Sequence, residues 1–380
     1  MNLALTDDQE LLAKTAADFV AEHSPVARMR KLRDTKDPLG FSRELWREMA
    51  GLGWVGIPFP EWAGGAELGF AELAVVLEAL GRGLAPEPFL SSVLLGGQAV
   101  LLGGSESQQK AVLPDLCSGS RLLALAFQEE NSRYDVHRVA TRATVQGDGW
   151  RIVGRKIQVL DAQVADEIVV AARTGGAEGD ATGITLFLLR AGAPGLRTVP
   201  QHRIDSRNAA IVQLEGVEAT RADVLGEVGQ GGALLEKVVD RATLGLCAET
   251  LGLMSEAFDR TLFYLKTRVQ FGVPIGSFQA LKHRAARCFI EIELSRSATL
   301  AAARALDEGS DEAQKLVSVA KARCSDAAIL VSNEALQMHG GIGMTDEHDI
   351  GFYLKRARVA ELSFGDAAWH RDRYARLEGF

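Results

Sequence analysis

Two short segments carry side chains whose types and spacing suit the recognition of a phosphorylated ligand with a flat ring. The first runs Arg268-Val269-Gln270-Phe271-Gly272 and continues through Pro274-Ile275-Gly276-Ser277-Phe278-Gln279. An arginine at the end of a long helix, beside a loop of Gly and Pro, can offer its planar fork of donors to a pyrophosphate. Gln270 and Gln279 add neutral hydrogen-bonding groups, and Phe271 can pack on an adenine or flavin ring. The same arginine is also what a helix C-terminus favours by itself, because a cation there meets the negative end of the helix dipole. The second segment is Gln337-Met338-His339-Gly340-Gly341-Ile342-Gly343-Met344-Thr345. Paired glycines let a backbone come close to a ligand, and Gln337 can bond a phosphate or ribose. A Gly-terminated helix with a satisfied histidine has the same appearance.

Other chemistries find little support. Gly229-Gln230-Gly231-Gly232 precedes a helix but lacks the preceding strand of a dinucleotide fingerprint. The seven histidines show no metal-ligand spacing and no GxSxG nucleophile elbow occurs, so no metal is expected. Cys117, Cys247, Cys288 and Cys324 form no CxxC pair and read as reduced, buried thiols. A formal net charge of -8 argues against a nucleic-acid surface, which needs a positive field over phosphates. The opening MNLALTDDQE has no basic region followed by an apolar stretch, so a signal peptide is not expected. The longest apolar stretches, such as Leu73 to Leu80, are interrupted by Glu78 and too short to span a bilayer. The expected compartment is the cytoplasm.

These segments need elements to hold them, and the chain supplies three textures. At 380 residues with 47% hydrophobic and 24% charged side chains, it can bury a full core and hold two or three substructures. Residues 1–120 read as a helical domain, with Leu5, Leu12, Ala16, Phe19 and Val20 at helical spacing and a capping box from Thr6 to Gln9. Further short helices are expected over Phe41–Leu52, Phe70–Gly81, Ser91–Leu102 and Ser105–Leu116. Residues 121–226 read as an antiparallel β domain, a small barrel or sandwich, with strands at Arg138–Val145, Trp150–Ile157, Glu167–Arg173, Gly183–Arg190 and Ala209–Leu214. Gly147-Asp148-Gly149 marks a tight hairpin. Residues 227–380 return to long helices, at Ala233–Val269, Phe278–Leu306, Asp311–His339 and Phe352–Arg376, which suggests a four-helix bundle. The expected fold class is mainly α with a middle β domain.

Taken together, RVQFGVPIGSFQ and QMHGGIGMT resemble the two C-terminal FAD signatures of acyl-CoA dehydrogenases. The resemblance extends through the N-terminal PEWAGGAELGFAELAVVLEALGR and the middle β domain, and so covers essentially the whole chain. It implies FAD as cofactor, an acyl-CoA substrate, and an electron-transfer flavoprotein or similar acceptor. It also implies that Arg268, Gln270 and Phe271 hold the FAD of their own subunit. Gln337, Gly340 and Gly341, with Phe278 and Gln279, would reach the cofactor of a neighbour. Such a split site implies an oligomer, a homo- or heterotetramer. Within the family, QEENSRYDVHRVAT and ELSFGDAAWHRDRYA resemble the small subunit of pimeloyl-CoA dehydrogenase-like enzymes, which pair with a larger one.

The chain departs from the family where the chemistry is done. A carboxylate normally removes the α proton of the thioester while the β hydrogen leaves as hydride. In most members that carboxylate lies in a Tyr-Glu-Gly-Thr stretch; here the stretch is Ser363-Phe364-Gly365-Asp366, and Phe364 takes the glutamate position. A second branch carries its glutamate early in the first bundle helix, where this chain has Ala242-Thr243. Asp366, Glu249 and Glu361 are the carboxylates left to substitute, Asp366 and Glu249 foremost; each can equally be a cap, an ion pair or a pocket lining. The family's Trp and Thr beside the flavin are replaced in Gln158-Val159-Leu160. A subunit that only completes a partner's FAD site, or a flavin enzyme of the same fold with other chemistry, are the alternatives.

Overall fold

A computed structural model describes residues 4–380. They form two compact units. One takes the chain up to Lys36, Gly69–Pro86 and Thr243–Phe380; the other takes Asp37–Leu68 and Glu87–Ala242. The N-terminal helices are thus shared between units, although in sequence they form one stretch. In chain order the helices are α1 (Asp7–His23), α2 (Val26–Thr35), α3 (Arg43–Gly51), α4 (Phe70–Arg82), a π-helix over Phe89–Gly97, α5 (Gln98–Gly103) and α6 (Glu106–Cys117). After the sheet come α7 (Gly231–Thr267), α8 (Gln279–Asp307), α9 (Ala313–His339), α10 (Ile350–Leu362) and α11 (Ala367–Leu377).

In the first unit, α1 starts as its sequence dictates. The Thr6 hydroxyl accepts from the Gln9 N–H and the Gln9 amide oxygen accepts from the Thr6 N–H, satisfying two otherwise orphaned donors. The Gln9 amide nitrogen also donates to Glu72 at 2.7 Å, tying α1 to α4. Helix α4 then crosses α7 at unusually short range. A Cβ added at Gly81 would come within 2.0 Å of the Glu249 carbonyl oxygen, and one at Gly252 within 1.8 Å of the Glu78 carbonyl oxygen. The bundle core is built by Leu253, Met254, Ile292, Val331, Phe352 and Tyr353, all buried.

Two helical expectations are corrected. The stretch from Ser91 to Leu102 is largely π-helical, and only its end is the α-helix α5. The last helix, expected to run unbroken from Phe352 to Arg376, is α10 and α11, separated at Ser363–Asp366. The physical reason is local: Phe364 (φ 60) and Gly365 (φ 115) both leave the right-handed helical region.

The second unit is organised by a sheet of eight strands. They are β1 (Leu123–Ala126), β2 (Arg142–Gln146), β3 (Gly149–Leu160), β4 (Glu167–Arg173), β5 (Ile184–Arg190), β6 (Leu196–Gln201), β7 (Ala209–Ala219) and β8 (Val224–Leu225). The order is β6-β7-β3-β2-β4-β5-β8, with β1 alongside β4. Most pairings are antiparallel, but β1 runs parallel to β4, and β2 joins β4 by one parallel pair. Strands β1, β6 and β8 were not foreseen. β1 lies wholly buried beside β4, and a short run of Leu and Ala carries no alternation to reveal it. Ala124, Ile152, Val170, Phe187 and Val212 fill the core. Glu129 is buried at the head of the following loop, where it accepts from Ala140 and Thr141 N–H and from the fully buried Lys156 ammonium at 2.6 Å.

The α4–α7 crossing generates a test. Gly252→Ala forces a methyl into backbone atoms, and we expect it to lower stability by about 1–3 kcal/mol in urea unfolding; an unchanged midpoint would mean the helices do not meet this closely.

Candidate functional site

Helix α7 ends at Thr267, and the Arg268 N–H still donates to the Tyr264 carbonyl at 2.8 Å. The chain then makes a miniature hairpin, β9 (Val269–Gln270) against β10 (Val273–Pro274). Its two-residue turn, Phe271 (φ 55) and Gly272 (φ 79), has both residues in the left-handed region, as a tight primed turn requires. Glycine accepts this freely; Phe271 does so at a cost and is left 89% exposed at the tip. Its ring meets Phe278 edge-on, centroids 6.0 Å apart. Phe278 is the residue before α8, and Gln279 opens that helix. Arg268, Gln270 and Gln279 are exposed, and no carboxylate among the described residues pairs with Arg268.

The second segment closes α9. Gln337, Gly340 and Gly341 are exposed. Gly340 has φ 62, and a Cβ at either glycine would meet nothing within 4 Å, so no packing constraint calls for their smallness. His339 and Met338 bind this turn to the end of α7. The His339 ring stacks on Tyr264, centroids 4.6 Å apart and 28° from parallel. Met338 packs into a small core with Leu265 and Ala285, against Ile275 and Leu281. Tyr264 lies one helical turn before Arg268. One chain therefore carries the arginine hairpin and the glycine turn side by side.

The two foremost carboxylate candidates both have structural duties. Glu249 on α7 is buried and forms a fork with Arg356 of α10, at 2.8 Å to Nε and 2.9 Å to Nη2. Asp366 is the N-cap of α11, accepting from the Trp369 N–H at 2.8 Å. The third, Glu361, pairs with Arg358 at 3.1 Å. Phe364 is buried at the helix break, as are Ala242 and Thr243 on α7.

The backbone of that break is closely held. Lys321, buried in α9, donates to the carbonyls of Glu361 at 2.9 Å and Gly365 at 2.7 Å and to the Ser325 hydroxyl at 2.8 Å. Burial pushes its ammonium down to about 8. The His370 ring nitrogen Nε2 lies 3.1 Å from the Phe364 carbonyl, and burial pushes that imidazole down to about 3. Sequence reasoning missed both residues, and nothing local marks them: Lys321 sits in Ser-Val-Ala-Lys-Ala-Arg-Cys, two residues from Arg323.

In the second unit, Gln158 is exposed with φ 54 and its N–H donates to the Gln201 side chain. Ser132 closes its own loop by bonding both the N–H and the carbonyl of Glu129. Among the described residues no His, Cys, Asp and Glu cluster could hold a metal, and no helix is long and apolar enough to cross a membrane.

A helical N-terminal stretch, a middle sheet and a C-terminal bundle bearing such a surface define the architecture of a flavin-dependent dehydrogenase of thioesters. The chain belongs to the acyl-CoA dehydrogenase family: the N-terminal, middle and C-terminal domain models of that family match residues 6–120, 124–217 and 229–377. It is 31% identical to the probable acyl-CoA dehydrogenase YngJ of Bacillus subtilis, over 98% of both chains. Butyryl-CoA dehydrogenase of Megasphaera elsdenii superposes with a TM-score of 0.92 at 26% identity, covering 100% of both chains. The ChsE4–ChsE5 complex of Mycobacterium tuberculosis contains a chain that superposes with a TM-score of 0.90 at 29% identity, covering 100% of this chain and 99% of that one. FAD is accordingly the cofactor. The dinucleotide half fits what is present: an unspent guanidinium, two exposed rings and a turn with open space above its glycines.

The structural roles make separate predictions. Glu249→Gln removes the negative charge that faces the buried Arg356 and should cost about 3–5 kcal/mol in chemical unfolding. Asp366→Asn should be near neutral because Asn caps as well as Asp, whereas Asp366→Ala should cost about 1 kcal/mol. A fully stable Glu249→Gln protein would contradict the ion-pair role.

Proposed function

We propose that this chain is one subunit of a heteromeric, FAD-dependent acyl-CoA dehydrogenase, and that the carboxylate removing the α proton comes from a partner subunit. One observation carries this reading. The chain keeps an exposed surface suited to a dinucleotide, while Phe364 stands at the position of the family's base and Glu249 and Asp366 are engaged by Arg356 and by α11. Phenylalanine cannot accept a proton, and a thioester α proton is weakly acidic enough to need a well-placed base.

On this reading Arg268 neutralises the pyrophosphate, Phe271 and Phe278 pack on the adjoining heterocycle, and Gln337 bonds the sugar-phosphate where the Gly340–Gly341 turn admits it. Bound FAD supplies the capacity to take hydride from the β carbon. Gln158 and Leu160, in place of the family's Trp and Thr, make this chain's own sheet a poor seat for the flavin ring. That favours a flavin seated on the partner and gripped by this chain. The electrons then pass to an electron-transfer flavoprotein or similar acceptor. The likeness to a chain from the ChsE4–ChsE5 complex supports a two-component assembly. So do the large apolar side chains left exposed on the helical unit, among them Phe263, Phe271, Phe289 and Ile290.

Purification tests the proposal. The chain alone should hold well under one FAD per chain and reduce no ferrocenium with acyl-CoA; with its partner, both flavin and turnover should appear. In that assembly Arg268→Ala should weaken FAD retention roughly 10- to 100-fold, the size of a lost charge-assisted contact. A homo-oligomer that is fully flavinated and oxidises acyl-CoA unaided would overturn it.

A further inference from the structure

Helices α1, α4, α7 and α8 of the first unit surround a cavity of about 400 Å³. Its long wall is one face of α4. Ala71, Ala74, Val75, Glu78, Ala79 and Arg82 recur every third or fourth residue, which sets their side chains in a row. That row is about 16 Å long, at a rise of about 1.5 Å per residue. Ala13 and Ala17 line the cavity from α1, Ala248 and Leu251 from α7, and Leu300 from α8. Alanine ends at its first carbon, so where alanines of several helices meet, nothing is long enough to interdigitate and space is left. Ala17 is exposed and Leu5 keeps 36% exposure, so the cavity communicates with solvent. A space this large is uncommon in a close-packed interior and ordinary for a ligand site.

The charged side chains that reach the lining are already answered. Arg296 Nη1 lies 2.6 and 2.8 Å from the two Glu78 oxygens, and its Nε lies 3.4 Å from Glu293. Arg82 pairs with Glu256 at 3.2 Å and with Asp259. Glu256 is shared with Arg260 at 2.9 Å. Four carboxylates thus face three cations at this end of the cavity. The Thr299 hydroxyl, also in the lining, donates to the Ser295 carbonyl at 2.9 Å. An anionic ligand would enter a negative surround and compete with Glu78 for Arg296, losing its water for no new cation. An uncharged chain meets alanine, valine and leucine, and displaces water that has few partners there.

We propose that this cavity is a binding site for a medium-length aliphatic or alicyclic molecule that carries no ionised group, an alcohol-like lipid rather than a fatty acid or a CoA thioester. It shares no residue with the dinucleotide surface. The apolar body of the ligand lies along Ala71, Ala74 and Leu300, and its hydroxyl donates to the Glu78 carboxylate beside Arg296. Bound there, the ligand fills the space between α4 and α8 and rests on α7 at Ala248 and Leu251, which flank Glu249 in the chain. It therefore stabilises the helical unit.

The full chain is titrated with 1-octanol, and with octanoate as the anionic counterpart. Octanol should bind saturably at one site per chain and raise the melting temperature by about 1–2 °C at about ten times its dissociation constant. Octanoate should bind roughly 10-fold more weakly or worse. Ala74→Phe puts a ring into the cavity and should weaken octanol roughly 10-fold, with no loss of melting temperature in the free protein. Glu78→Gln releases Arg296 and should reverse the preference, octanoate then binding roughly 3- to 10-fold tighter than to the parent. Equal affinity of the parent for the two probes overturns the assignment to an uncharged ligand. No saturable octanol binding, or binding unchanged in Ala74→Phe, overturns the site itself. Should Ala74→Phe fail to fold, Ala17→Phe on the exposed edge is judged by the same criterion. If the chain binds octanol alone and releases it when an electron-transfer flavoprotein or a partner subunit is added, the cavity is a socket for protein and the proposal falls.

Discussion

The stack of Tyr264 on His339 is the contact on which the arrangement of the site depends. Without it, the end of α7 and the end of α9 are two helix termini with no reason to cooperate. With it, and with Met338 seated against Leu265 and Ile275, the arginine hairpin and the glycine turn become one surface. The surface is thus assembled by packing beneath it, and the groups facing outward are left with little to do for the fold itself. This explains why Arg268, Gln270 and Gln337 can be so exposed and still be held in register.

Charge is distributed by the opposite rule. Two carboxylates that enter the interior are matched by cations. Glu249 meets both arms of Arg356, and Glu129 meets Lys156 and two backbone N–H groups. Removing two ions from water is repaid only by close, multiply bonded geometry, and these pairs have it. A carboxylate committed in this way is poorly placed to serve as a base as well. The contrast is plain: Arg268 lies outside without a carboxylate partner among the described residues, while Glu249 and Glu129 are already engaged.

How much of this could be read in the sequence varied with the kind of signal. The two segments around Arg268 and Gly340 stood out because glycine pairs, an arginine and interleaved aromatics are rare in combination, and the α1 capping box was legible because its two side chains are fixed by spacing. The long helices α7, α8 and α9 were legible from periodicity. What escaped had no local signature. The break at Ser363–Asp366 depends on Phe364 adopting a left-handed conformation that only its neighbours enforce. The pairings Glu249–Arg356 and Lys321–Gly365 join residues far apart in the chain. β1 is buried on both faces, so its residues lack alternation. Resemblance to the family could say where a base belongs, but not that Glu249 and Asp366 were already occupied.

The turn at Phe364 has an evolutionary consequence. Its backbone is fixed through the carbonyls of Glu361, Phe364 and Gly365, by Lys321 and His370, and none of these bonds involves the side chain at position 364. Scaffold and reagent are therefore separable here. A lineage could discard an acidic group at this point, or regain one, by a single codon change without rebuilding the loop. Gene duplication followed by division of labour between paralogues would then be an easy path, since the retired copy keeps its architecture while its chemistry drifts.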